Sequence, residues 1–86
     1  MAAPRFKLYI KPGCPWCDEA VAWLDEHGFG YDEVDVISDA ADFAEMKRIS
    51  GQTKCPTLVA DDEVLPDFDT NQLKSFLQKH GWLAAA

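Results

Sequence analysis

Long apolar runs are missing from this chain. No stretch approaches the ~20 consecutive apolar residues of a membrane-spanning helix, and the start Met1-Ala2-Ala3-Pro4-Arg5 lacks the apolar core of an export signal. The expectation is a soluble, cytoplasmic protein. Basic residues are scarce as well: eight Lys and Arg against fifteen Asp and Glu give a formal charge of −7. That balance argues against nucleic acid or an anionic membrane as partner, since both are bound through basic surfaces. No glycine-rich phosphate loop is present, which leaves nucleotide chemistry without its usual cradle.

Cysteine is sparse too. Three cysteines, an odd count, exclude a complete disulfide framework. One pair that cycles, with a third thiol to spare, fits a reducing compartment. A tetrahedral zinc site would need two ligands beyond the close pair, and the spare candidates Cys55, His27 and His80 are distant in sequence. No bound metal is expected. The two histidines sit near expected helix ends, where a partly charged imidazole is favourable.

What is there is one domain spanning residues 1–86, with no repeat or linker, and with residues 1–4 and 82–86 expected to fray. Trp82-Leu83 could instead fold back onto the last helix. Phe6–Ile10 alternates as a strand, and Lys11-Pro12-Gly13 turns the chain into a helix over Pro15–Glu26 that closes at His27-Gly28. Tyr31–Ile37 alternates apolar and acidic positions, a second strand. Ser38 or Asp39 caps a helix over Ala40–Ser50, which Gly51 stops. Thr57–Ala60 and Glu63–Leu65 form a hairpin around Asp61-Asp62, broken by Pro66-Asp67. Asp69 and Gln72 have capping-box spacing, and Leu73, Phe76, Leu77 and His80 give the last helix its apolar face. The order β-α-β-α-β-β-α predicts a four-stranded mixed sheet with three helices on its two faces, an α/β fold.

Cys14-Pro15-Trp16-Cys17 lies where the first strand turns into the first helix. A helix N-terminus supplies partial positive charge and free N–H groups, which favour thiolate, the attacking species in disulfide exchange. Cys17, Ala20, Val21 and Leu24 share one apolar stripe, so Cys17 leans into the core and is read as the resolving thiol. Cys14 is read as the attacking thiol, open to substrate, with Trp16 as a flat wall beside it. Cys55 reads first as a small apolar filler, with a thiol that joins or regulates the exchange as the other reading. Lys54 is left as a solvated charge.

The chain resembles the glutaredoxins, the smallest form of the thioredoxin-like fold, from Phe6 to Leu77. Four landmarks carry the likeness: Lys11 three residues ahead of Cys14, the Cys14–Cys17 motif, Pro56 opening the third strand, and Phe68-Asp69-Thr70 before the last helix. The resemblance implies a monomeric thiol–disulfide oxidoreductase with a redox-active Cys14–Cys17 disulfide. It acts on protein disulfides or glutathione mixed disulfides, with glutathione as co-substrate and no permanently bound cofactor. Lys11 would meet a glutathione carboxylate, and Pro56 would be a cis proline facing Cys14. The backbone of Cys55 would pair with the substrate peptide, while Asp69 and Thr70 would offer N–H groups to the γ-glutamyl carboxylate.

Two departures stand out: Pro66-Asp67 replaces the family's usual Gly-Gly, and Cys55 replaces its usual Val. They keep open a thioredoxin-like reductant recharged by a flavoprotein reductase, and a sensor in which Cys55 bridges to Cys14. A glutathione-dependent iron–sulfur carrier is a third alternative, against which Pro15 and Cys17 count.

Overall fold

The computed structural model describes residues 4–84. Its elements are β1 (Phe6–Ile10), α1 (Pro15–Glu26), β2 (Tyr31–Asp35), α2 (Ala40–Ser50), β3 (Thr57–Ala60), β4 (Glu63–Pro66) and α3 (Thr70–Lys79). The sheet order is β2-β1-β3-β4. β1 runs parallel to β2, while β3 pairs antiparallel with both β1 and β4. This is the mixed four-stranded sheet with three helices that the element order predicts. It is a thioredoxin-like fold. No helix among the described residues is long and apolar enough to cross a membrane.

The alternation of β1 divides the core in two. Phe6 and Leu8 point to one face and join Ala20 and Leu24 of α1 with Leu73 and Leu77 of α3. Tyr9 points to the other face and joins Met46 of α2, Val36 and the three cysteines. The period of two along a strand thus places α1 and α3 on one side and α2 on the other. Leu8, Leu24, Leu58, Leu73 and Leu77 are fully buried, each contributing about 1.5–3 kcal/mol of transfer free energy.

Three boundaries differ from the sequence expectation, each for a local reason. β2 stops at Asp35, not Ile37, because the Asp35 carboxylate accepts the N–H groups of Ile37 and Ser38 and the Ser38 hydroxyl. This Asx turn pulls the chain out of the sheet and leaves Ile37 exposed. β4 takes in Pro66, which an edge strand tolerates because its missing N–H costs no ladder bond. The C-terminus does not fray at residue 82. The N–H groups of Trp82 and Leu83 both donate to the Leu77 carbonyl, at 2.9 and 3.3 Å, and the Trp82 ring lies 5.7 Å from that of Phe6. Pro4 is half-buried; the other residues expected to fray, 1–3 and 85–86, lie outside the described residues apart from Ala84.

The caps follow the sequence. Asp39, not Ser38, caps α2 by accepting the Ala41 N–H at 2.8 Å, and Gly51 ends that helix at φ 72°, where glycine alone carries no Cβ penalty.

One polar cluster ties β1 to α2. The buried Tyr9 donates its hydroxyl to Glu45 Oε1 at 2.7 Å, and Lys7 Nζ reaches the same oxygen at 2.9 Å. The bonds from Lys7 and Tyr9 hold the Glu45 carboxyl below its ordinary value. Being depressed in the fold, it stabilises above the usual carboxylate range and loses that contribution as pH falls through the folded value. Glu45→Ala should therefore destabilise the protein at neutral pH by about 1 kcal/mol, discounted for solvent reaching both charges. In urea titrations the gap from the parent should narrow as the pH drops below the carboxylate range; a gap that is absent or widens contradicts the assignment.

Candidate active site

The site is built by the junction of β1 and α1. Gly13 at φ 73° makes the left-handed step that ends the turn. A Cβ there would meet nothing within 4 Å, so backbone conformation and not space demands glycine. Cys14 follows in extended conformation as the N-cap of α1, with Pro15 pre-set in the first turn. The Cys17 N–H donates to Cys14 Sγ at 3.3 Å. The sulfur occupies the place that a serine or aspartate oxygen holds in ordinary caps, at the positive end of the α1 dipole.

The second element of the site is the entry to β3. The Cys55–Pro56 peptide bond is cis, the isomer the resemblance implies, and the Cys14 thiol lies 3.9 Å from the Cys55 carbonyl oxygen. Cys14 is more enclosed than its position before the helix leads one to expect, with only 5% of its surface exposed. Its opening is a hollow of about 470 Å³ lined by Lys11, Gly13, Cys14, Pro15, Trp16, Lys54, Cys55 and Asp67. Trp16 is 58% exposed and forms the outer wall. The hollow therefore gathers Lys11, Cys14, Trp16 and Cys55 from the residues singled out in the sequence, with the buried Pro56 behind them.

The other two sulfurs face inward. Cys17 lies outside the lining and is 2% exposed; burial first, and its contact with Cys14 second, push its thiol up to about 12. Cys55 borders the hollow, but its sulfur sits 3.7 Å from Met46 Sδ, and burial again raises its thiol above the ordinary value. That packing supports the filler reading. All three cysteines are free. Among the described residues, no group of three or more His, Cys, Asp or Glu side chains is arranged to hold a metal ion.

Asp69 and Thr70 stand outside the hollow. The Asp69 N–H is already taken by Gln72 Oε1 at 3.0 Å, while the Asp69 carboxylate accepts the Gln72 N–H at 2.8 Å. The capping box thus occupies the Asp69 N–H, and Thr70's N–H is unpaired among the described residues. Asp69 borders a separate shallow groove on α3 with Leu65, Gln72 and Phe76. Sequence reasoning passed over Lys54, whose only signal was its place beside the Cys55-Pro56 pair. It reaches Asp67 at 3.9 Å across the hollow's mouth.

A thiol pair at a helix N-terminus, beside a cis Cys55–Pro56 bond on a mixed four-stranded sheet, defines a thioredoxin-fold dithiol protein. A family model described as Glutaredoxin matches residues 6–65, and the chain belongs to that family, whose members are thiol–disulfide oxidoreductases. An uncharacterised glutaredoxin-like 8.6 kDa protein in the rubredoxin operon of Clostridium pasteurianum is 26% identical over 73 residues, covering 85% of this chain and 97% of its own. Glutaredoxin 3 of Escherichia coli K12 is 34% identical over 55 residues, 64% of this chain and 66% of its own. The crystal structure of the thioredoxin-like protein BC3987 superposes with a TM-score of 0.77 at 30% identity, covering 85% of this chain and 100% of that one.

Because the raised Cys17 and Cys55 thiols stay protonated at neutral pH, iodoacetamide at pH 7 should label Cys14 first. Cys17 and Cys55 should react more slowly than Cys14 until the protein is unfolded. Peptide mapping of the time course checks this; labelling of Cys17 as fast as Cys14 contradicts the geometry.

Proposed function

We propose that the protein reduces glutathione mixed disulfides and protein disulfides, with Cys14 as nucleophile, Cys17 as resolving thiol and glutathione as electron donor. The observation that carries the reading is the asymmetry of the two sulfurs. Cys14 receives the Cys17 N–H and borders the hollow, whereas Cys17 lies outside its lining and its thiol is raised to about 12. Only Cys14 lies where a substrate entering the hollow can reach its sulfur.

In the first step Cys14 thiolate attacks the glutathione sulfur of a glutathionylated cysteine. A Cys14–glutathione disulfide forms, and the substrate cysteine leaves as thiolate and takes up a proton. Glutathione then attacks the sulfur of the bound glutathione, releasing Cys14 thiolate and glutathione disulfide. For a protein disulfide, Cys17 instead gives up its proton and attacks Cys14, releasing the second substrate thiol and leaving a Cys14–Cys17 disulfide for two glutathiones to reduce. Burial keeps Cys17 protonated, so on small glutathione adducts the route through free glutathione is favoured. In the bound state Lys11 meets a glutathione carboxylate, Trp16 covers the sulfur and the Cys55 backbone pairs with the peptide. A dithiol recharged by glutathione works in a reducing compartment, the cytoplasm.

One observation favours a second reading. Asp67 stands at the hollow's mouth where the family usually has glycine, and a negative side chain there opposes a glutathione carboxylate. A reductant recharged by a flavoprotein reductase would tolerate it.

Steady-state turnover of a small glutathionylated substrate, with glutathione varied, decides between them. The proposal expects saturation at millimolar glutathione or below. It also expects a loss of at least about a thousandfold in Cys14→Ser, and retention of most activity in Cys17→Ser. No turnover with glutathione, but rapid reduction by a thioredoxin reductase system, establishes the second reading. Equal, total loss in both variants overturns the assigned roles.

A further inference from the structure

The charge around the thiols runs against the charge of the chain. The whole sequence carries −7, yet the charged side chains lining the hollow are Lys11, Lys54 and Asp67, two positive and one negative. Lys54 and Asp67 face each other across the mouth at 3.9 Å, with 74% and 52% of their side chains exposed. A pair that open to water is weakly held and readily exchanged for another partner.

Both ends of the pair are nevertheless fixed at the backbone. The Lys54 N–H donates to the Gln52 side-chain oxygen, and its carbonyl accepts the Thr57 hydroxyl at 2.9 Å. The Gln52 amide in turn bonds the Ser50 and Thr57 hydroxyls. Asp67 is held between β4 and the buried Phe68 at φ 46°, a left-handed conformation uncommon for residues other than glycine, asparagine and aspartate. The two backbones are anchored while the two charged tips remain free.

We propose that Lys54 and Asp67 form a charge selector at the mouth of the thiol hollow. It admits disulfides that carry a carboxylate or other anion close to the sulfur, the incoming anion replacing Asp67 on Lys54. With Asp67 in place the selector is half-closed. Its negative charge masks Lys54, turns away anions that cannot compete, and lowers the barrier to cationic disulfides. The inference deepens the glutathione reading, since glutathione is an anion of this kind, but its test does not require turnover.

The test is the rate at which the reduced protein reacts with two methanethiosulfonates of similar size. One carries a sulfonatoethyl anion and the other a trimethylammonioethyl cation. In each case Cys14 thiolate forms a disulfide with the reagent's thioalkyl group and methanesulfinate leaves with the electron pair. The readout is the anion-to-cation ratio of second-order rate constants at low salt. Asp67→Asn, which keeps a residue tolerant of φ 46°, should raise the ratio about fivefold, and Lys54→Gln should lower it by a similar factor. In about 1 M salt, where the Debye length falls to about 3 Å, both shifts should shrink. An unchanged ratio in either variant, or a shift of the same sign in both, overturns the selector. Absence of glutathione turnover in the unmodified protein overturns the functional reading and leaves this ratio measurable.

Discussion

The N–H of Cys17 points at the sulfur of Cys14 across 3.3 Å, and the chemistry of the chain depends on that contact. It exists because Cys14 is the last residue before α1 and its sulfur stands at the cap position. Gly13 turns the chain into that position, Pro15 starts the helix without needing an N–H, and the Asp18 N–H closes the first turn on the Cys14 carbonyl at 3.1 Å. The same helix carries Cys17 one turn on, onto the stripe that faces the core. One short segment therefore yields two unlike thiols, one at a dipole end beside an opening and one in an apolar interior.

The sheet holds this segment still. β1 is central, paired on one side with β2 and on the other with β3, so the strand that feeds the motif is hydrogen-bonded along both edges. Its alternating side chains are clamped from both faces, Phe6 and Leu8 by α1 and α3, Tyr9 by α2. β3 starts just after the cis Cys55–Pro56 bond, which brings the Cys55 carbonyl opposite the Cys14 sulfur. The site is thus framed by the C-terminal end of one strand and the N-terminal end of its antiparallel neighbour.

Most of this was legible in the sequence. The helix and strand order, the Gly51 stop, the Asp69–Gln72 capping box and the inward lean of Cys17 all follow from local spacing, which left the α2 cap open between Ser38 and Asp39. What was not legible depended on contacts distant along the chain. The enclosure of Cys14 comes from the β3 entry folding over it, some forty residues away. The Cys55 sulfur turns to Met46 because α2 covers that face. Lys54 looked like an ordinary solvated lysine until Asp67 appeared across the mouth. At Asp69 the capping box that identified the helix start also occupies the N–H that the resemblance assigns to a ligand.

The Gly-Gly departure also acquires a physical meaning. Asp67 adopts φ 46°, a left-handed conformation that glycine takes without a Cβ penalty and that aspartate tolerates, so the aspartate here meets the backbone's demand while adding a charge. The most direct test of the account is to trap the exchange intermediate. Reduced Cys17→Ser protein is incubated with glutathione disulfide and the adduct is mapped by peptide mass spectrometry. One glutathione per chain on Cys14 is the predicted result; an adduct on Cys55, or none at all, would contradict the claim that the capping sulfur is the one that exchanges.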